Sequence, residues 1–360
     1  MIDHAATPAP RGVVLMTYGS PSSLADVPRY LAAVRGGRAA EPELVTEFTR
    51  RYEVIGGSPL IERTIDQAAA LQARLGRGWL VRAAMRFSEP SIEAALRELA
   101  GQGVSEVVAI VLSPQYSPLL MGGYGRDVAA ARERLGPSAP DVTSAGAWYR
   151  EPGFVGAMAD KIHAGLADMD AGTPVLLTAH SLPRRVAETE PDYMGQLTES
   201  AQRIAEAAGL GEDRWTFCWQ SAGHEPGEWM SPDFADLMPR LRDAGHRAVL
   251  VAPIQFLSDH LEVLYDVDIG AREQAEAVGL GFARTTSLNV ADGLIEALAS
   301  VARDTAARDT ARDDVLAARG GAAPGGAAQG GAAPGGLGGR AGGLGGRAGG
   351  LTRRCISCAR

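Results

Sequence analysis

Short apolar runs of strand length alternate with amphipathic stretches of helix length along roughly the first 300 residues, and that alternation leaves few folds open. Runs suited to buried strands lie at 12–18, 80–86, 106–112, 142–147, 175–179, 215–219 and 248–253, with a weaker one at 281–286. Helical patterns fill the gaps at 24–34, 42–52, 61–75, 91–101, 123–135, 151–167, 191–208, 232–244, 258–275 and 290–302. Strand–helix alternation predicts an α/β chain whose parallel sheets are covered by helices on both faces. The turn-rich stretch 136–141 lies near the middle of the pattern, which predicts two lobes of about four strands each, 1–147 and 148–318.

Composition matters mainly at the C-terminus. Sixteen of the 31 residues from Gly320 to Gly350 are glycine, too few side chains to offset the entropy of ordering. Residues 319–360 are therefore expected to be a disordered tail, with the fold ending between Ser300 and Ala318. Residues 320–360 hold five Arg and no acid, so the body is more acidic than the whole chain's net charge of −8. An acidic body argues against nucleic-acid binding, which needs a basic footprint. No apolar run approaches the ~20 residues that cross a bilayer. Three cysteines cannot make a disulfide framework, which fits a reducing cytoplasm.

In parallel α/β sheets, ligands collect at the carboxyl ends of strands. Here those ends hold Tyr18-Gly19-Ser20-Pro21, Ser113-Pro114-Gln115-Tyr116, His180-Ser181, Gln220-Ser221 and the stretch from Ile254 to Glu262. His180 follows a buried-strand pattern, where an imidazole can serve as ligand or proton acceptor. It can equally be a hydrogen-bonded structural histidine. Glu262 falls in the first turns of a predicted helix, and Asp259, Glu262, Asp266 and Glu273 share one helical face at 3–4 spacing. Such a line of acids can attract a hard cation, or be a solvated face at a helix N-terminus. His260, two residues from Glu262, is expected on another side as a cap or packing residue.

The common motifs are missing: the sequence has no GxxxxGK[ST], HExxH or GxSxG. Gly122-Gly123-Tyr124-Gly125 lacks the dinucleotide frame, and Cys355-Ile356-Ser357-Cys358 supplies only two thiolates toward a tetrahedral site. Cys218, inside an apolar run, reads as core.

A series of longer motifs carries a resemblance. In order, these are LMTYGSP at 15–21, VRGGR at 34–38, RRYEVIGGSPL at 50–60, WYREPGF at 148–154, TAHSLP at 178–183, YMGQLTESAQRIAEAAG at 193–209, WQSAGHEPGEWMSPD at 219–233 and PIQFLSDHLEVLYDVDI at 253–269. By their number and order the chain resembles the ferrochelatase family, most of all its bacterial coproporphyrin III type. The resemblance implies the chelatase fold, two similar Rossmann-like lobes with a porphyrin cleft between them. It also implies insertion of ferrous iron into a porphyrin late in haem synthesis. His180 matches the family's AHxLP histidine and Glu262 its DHLE acid, the catalytic and metal-binding pair. Tyr18 matches the residue beneath the opposite porphyrin face, where it can ligate product iron. Arg35, Arg51, Tyr52, Ser58 and Tyr124 match porphyrin-contacting positions, and Asp266 a position on the path by which metal arrives.

This sequence departs from its relatives in three places. A further acid eight residues after the signature Glu is replaced by Gly270, and Ser58 follows Gly57 without the extra loop residue many relatives carry. The cysteines do not complete the four that hold an iron–sulfur cluster in some relatives, so no cluster and no tightly bound cofactor is expected. Expected partners are porphyrin, Fe²⁺ as substrate and a haem-pathway enzyme receiving product; the protein is expected to be a cytoplasmic monomer that neither spans a membrane nor binds nucleic acid. Three alternatives remain at this level: a protoporphyrin IX ferrochelatase, a cobalt or nickel chelatase, and a non-catalytic haem-binding or delivery protein on the same fold.

Overall fold

All eight expected strands form, and every ladder between them is parallel. The computed structural model describes residues 9–222 and 228–320. Strands β1 (Arg11–Thr17), β2 (Trp79–Met85), β3 (Glu106–Val111) and β4 (Asp141–Ser144) make one sheet in the order β2-β1-β3-β4. Strands β5 (Val175–His180), β6 (Trp215–Gln220), β7 (Ala248–Pro253) and β8 (Gly281–Arg284) make a second, ordered β6-β5-β7-β8. Each sheet therefore repeats the same order.

Parallel neighbours need crossovers, and helices supply them. Helices α1 (Val27–Val34), α2 (Pro42–Val54) and α3 (Leu60–Leu75) join β1 to β2; α4 (Ile92–Gly101) and α5 (Pro118–Leu135) complete the first sheet. Helix α6 (Pro152–Leu166) leads to the second sheet, where α7 (Arg184–Thr189), α8 (Pro191–Ala207) and α9 (Phe234–Asp243) follow. A π-helix (Glu262–Ala271) runs into α10 (Arg272–Ala277), and α11 (Asp292–Gly320) comes last.

Successive strand side chains point to opposite faces, and both faces of β1 are covered. Val13 and Leu15 join one core cluster while Val14 and Met16 join another, packed on α4 and α5. The first cluster also takes in Leu177 and Leu250 of the second sheet, together with Leu71 of α3, Phe154 and Ile162 of α6, and Leu294 and Leu298 of α11. The helices between the sheets thus bury one continuous apolar core, each large side chain contributing about 1.5–3 kcal/mol. Helices α6 and α11 cross at Gly153 and Gly293, where a Cβ on either would collide with the other's carbonyl oxygen. Only glycine permits that approach.

Several boundaries differ from the pattern. The expected helix 123–135 starts at Pro118, because the Ser117 hydroxyl caps it, accepting from the Leu120 N–H at 3.0 Å, and proline suits the first turn. Helix α7 is too short to leave a periodic signal. The expected helix 258–275 begins only at Glu262 and is wound as a π-helix. The last helix passes the expected end of the fold and runs to Gly320, with Val301, Ala302, Thr305 and Ala306 buried. Cys218 is fully buried in β6, as read; burial, with the Asp233 charge, pushes its thiol pKa far up. Of the expected tail, 321–360 with Cys355 and Cys358 lies outside the described residues. No described helix is long and apolar enough to cross a membrane.

Candidate active site

The carboxyl ends of β1, β2 and β3 and those of β5 and β7 border one cavity of about 810 Å³. That volume lies within the roughly 300–1,000 Å³ of small-molecule sites. One wall comes from the first sheet. Tyr18 leaves β1, and the chain turns at once through Gly19 (φ 87°), where a Cβ would come within 2.6 Å of the Ser88 hydroxyl. The Tyr18 ring packs against Phe87 and Tyr124, with centroids at 5.2 and 6.1 Å. Arg86 lies among these rings, its guanidinium carbon 4.6 Å from the Phe87 centroid, 5.1 Å from Tyr124 and 5.6 Å from Tyr18. Its Nε donates to Asp127 at 2.7 Å. The largely desolvated cation is therefore paired, as burial requires.

The opposite wall comes from the second sheet. His180 ends β5; its backbone N–H donates to Gln255 Oε1 at 2.8 Å, and Gln255 Nε2 in turn bonds the Tyr193 hydroxyl. Nδ1 of His180 lies 2.5 Å from the Ser181 carbonyl, a geometry that requires Nδ1–H and leaves Nε2 as the basic nitrogen. His180 Nε2 is 3.6 Å from Glu262 Oε2. His260 repeats the arrangement: Nδ1 is 2.9 Å from the Ser258 carbonyl and Nε2 is 3.9 Å from the same Glu262 oxygen. Phe256 packs edge-on against both imidazoles, 6.5 Å from His180 and 4.6 Å from His260. His180 and Glu262 are each 8% exposed, so the carboxylate sits in a low-dielectric site facing two imidazoles. Such a group can exchange protons and present nitrogen and oxygen ligands to a cation.

Of the residues singled out from sequence, Tyr18, Tyr52, Ser58, Tyr124, His180 and Glu262 all line this cavity. Arg35, Arg51 and Asp266 are not on its lining. Arg51 donates to Glu47 at 2.8 Å and lies 3.8 Å from Asp266, while the Nε of Arg35 is buried with no hydrogen-bond partner among the described residues.

Two expectations need correction. His260 does not point away from Glu262, because the backbone at 260 precedes the helix and helical spacing does not govern it. Nor do the four acids share a face. Asp259 lies ahead of the helix, bonded to Ser287 and Asn289; Asp266 pairs with Arg51; Glu273 is exposed on α10 beyond the π-helical winding. His260, Arg86, Gln255 and Tyr193 were not assigned to the site from sequence. Three of them, Arg86, Gln255 and His260, carried the strand-end signal; Tyr193 carried none.

The sequence model of the ferrochelatase family matches residues 10–306. The chain is 37% identical over 300 residues to a ferrochelatase of Deinococcus radiodurans, covering 81% of this chain and 95% of that protein. It is 36% identical over 301 residues to the coproporphyrin III ferrochelatases of Geobacillus thermodenitrificans and Bacillus subtilis, covering 81% of this chain and 94% and 96% of theirs. Among solved structures it is similar to SirB from Bacillus subtilis with Fe³⁺, at a TM-score of 0.55 and 11% identity, over 84% of this chain and 98% of that one. This last likeness concerns the fold alone.

Proposed function

The chain belongs to the ferrochelatase family, lyases that insert iron into a porphyrin, and from that premise we propose that it inserts ferrous iron into coproporphyrin III. The observation that carries the reading is the His180–Glu262 pair, 3.6 Å apart and facing a cavity whose other wall holds Tyr18. Insertion exchanges two pyrrole N–H protons for one Fe²⁺, so groups bordering the cavity must present the metal and accept two protons. An imidazole whose Nδ1–H is committed to a carbonyl offers Nε2 as a borderline ligand for ferrous iron and as a proton acceptor. The Glu262 carboxylate offsets the metal's charge and passes protons outward. Tyr18, on the other face, is the axial contact for product iron. Retention of both His180 and Glu262 favours catalysis over haem carriage.

The choice of porphyrin rests on charge. Coproporphyrin carries four propionates, and Arg126 and Arg185 are exposed on the cavity lining. The buried Nε of Arg35, next to Val34 of the lining and without a hydrogen-bond partner among the described residues, is a further donor that a carboxylate would satisfy. Tyr52, Ser58 and Tyr124 offer hydroxyls along the same lining. Arg51 contacts Glu47 and Asp266, so any propionate it holds shares the guanidinium with those acids. The relatives named coproporphyrin III ferrochelatases support the same choice. The test is anaerobic Fe²⁺ insertion followed by absorbance, with coproporphyrin III and protoporphyrin IX compared side by side. Faster turnover of coproporphyrin III is expected. Preference for protoporphyrin IX would refute the substrate, and tight haem binding without turnover of either would refute the activity.

A further inference from the structure

Glu262 must keep its place to a fraction of an ångström to act with His180, yet residues 254–261 before it form neither strand nor regular helix. Asn289, between β8 and α11, secures that stretch. It adopts the left-handed conformation (φ 47°) that asparagine tolerates better than most residues. Its backbone N–H donates to the Leu257 carbonyl at 2.7 Å. Its side-chain oxygen accepts from the Asp259 N–H at 3.1 Å, and its amide donates to Asp259 Oδ2 at 2.9 Å. Its own carbonyl accepts from Gln67 Nε2 at 2.7 Å, and the same Nε2 lies 2.9 Å from the Ser258 hydroxyl. Gln67 belongs to α3, so the grip reaches across from the helices of the first sheet.

Arg284, the last residue of β8, holds the other side. Its Nε and Nη2 form a fork on Asp268 of the π-helix, at 2.6 and 2.8 Å. Nη2 also lies 3.6 Å from Asp259 Oδ1, which accepts from the Ser287 hydroxyl at 2.7 Å. Its Nη1 donates to the Thr285 carbonyl at 2.8 Å. One network therefore grips residues 257 and 259 ahead of Glu262 and residue 268 beyond it. Arg284, Asn289, Asp259 and Asp268 are not on the cavity lining. Asp259, one of the line of acids that by sequence could attract a cation, is thus engaged with an arginine instead.

We propose that Arg284 and Asn289 are positioning residues for metal insertion, holding the segment 257–268 so that Glu262 stays opposite His180. The proposal rests on the reading of Glu262 as a group that acts in insertion. A misplacement of about 1 Å at a reacting group can cost on the order of 100-fold in rate, so loss of this network is a kinetic lesion before it is a binding one.

The experiment measures insertion kinetics, and porphyrin Kd by fluorescence quenching, for Arg284→Met, Arg284→Lys, Asn289→Gly and Glu262→Gln. The porphyrin is whichever of coproporphyrin III and protoporphyrin IX the wild-type enzyme turns over faster. Asn289→Gly keeps the backbone conformation while deleting the side-chain bonds, so it serves even where Arg284→Met fails to fold. Arg284→Met and Asn289→Gly are expected to lower kcat about tenfold or more, with porphyrin Kd within about twofold. Arg284→Lys should recover part of the rate, because a single ammonium keeps the charge but not the fork. In a Glu262→Gln background, Asn289→Gly should cost less than about twofold more, since it acts through Glu262. Unchanged kcat in both variants, or equal loss with and without Glu262, overturns the proposal. If Glu262→Gln itself turns over at the wild-type rate, the assignment of Glu262 falls and the proposal falls with it.

Discussion

Replacing Glu262 by glutamine removes one negative charge and almost no volume. The carboxylate is 8% exposed and its Oε2 lies 3.6 Å from His180 Nε2. When His180 holds a proton taken from the porphyrin, the two groups attract each other by about 5 kcal/mol at an effective dielectric of about 20. At 1.36 kcal/mol per factor of ten, losing that attraction slows the step by about 10³–10⁴-fold, at the upper end of the 10²–10⁴ ascribed to general acid–base groups. Porphyrin contacts on the Tyr18 wall are untouched, so the loss should appear in kcat and leave porphyrin affinity within about twofold. The assay is anaerobic Fe²⁺ insertion under saturating porphyrin, with circular dichroism to verify the fold. A Glu262→Gln enzyme that turns over within about twofold of wild type would refute the electrostatic argument.

His180→Ala should abolish insertion while porphyrin still quenches fluorescence on binding; normal turnover by this variant would remove the imidazole from the mechanism. Gly153→Ala places a Cβ against the Gly293 carbonyl and should cost about 1–3 kcal/mol in urea unfolding, with wild-type stability arguing that α6 and α11 do not cross so closely. At Asp259, burial pushes the carboxyl pKa up, but hydrogen bonds from Asn289 and Ser287 and the charges of Arg284 and Arg63 outweigh it, so the net shift is downward. A depressed carboxyl contributes stability above its unfolded pKa of about 3.9 and loses it as pH falls through the folded value. The stability advantage of wild type over Asp259→Asn, from urea midpoints, should therefore be full near neutral pH and shrink below about pH 4. A constant advantage down to pH 3 would contradict the shift.

Much of the site was legible because it sits where parallel strands end. Tyr18, His180 and Glu262 were found from sequence at those ends, and each lines the cavity. Less legible was whatever depends on how the chain is wound between them. Helical spacing put Asp259, Glu262, Asp266 and Glu273 on one face and turned His260 away. The segment enters its helix only at Glu262 and then takes the π winding, so a rule that assumes 3.6 residues per turn from Ser258 onward fails for Asp259 and His260, which precede the helix, and for Glu273, which lies beyond the π winding. Arg86 reads as the end of a strand, and apart from the adjacent Phe87 the groups that enclose it, Tyr18, Tyr124 and Asp127, lie far from it in sequence.

The sequence by itself determined the two covered parallel sheets, because burial on both faces imposes a periodicity that short local windows carry. It also determined which chemical groups stand at the strand ends, since chain direction places them there. Helical spacing places partners such as Glu47 and Arg51 on one helix, but partners far apart in the chain were decided only by tertiary packing. Arg284 reaches Asp268 and Asp259, Arg51 reaches Asp266, and Gln67 reaches Ser258 and Asn289, across separations that no local pattern spans. A charge or amide removed from water must find a partner wherever the packed helices leave one, and that place exists only after the sheets have come together.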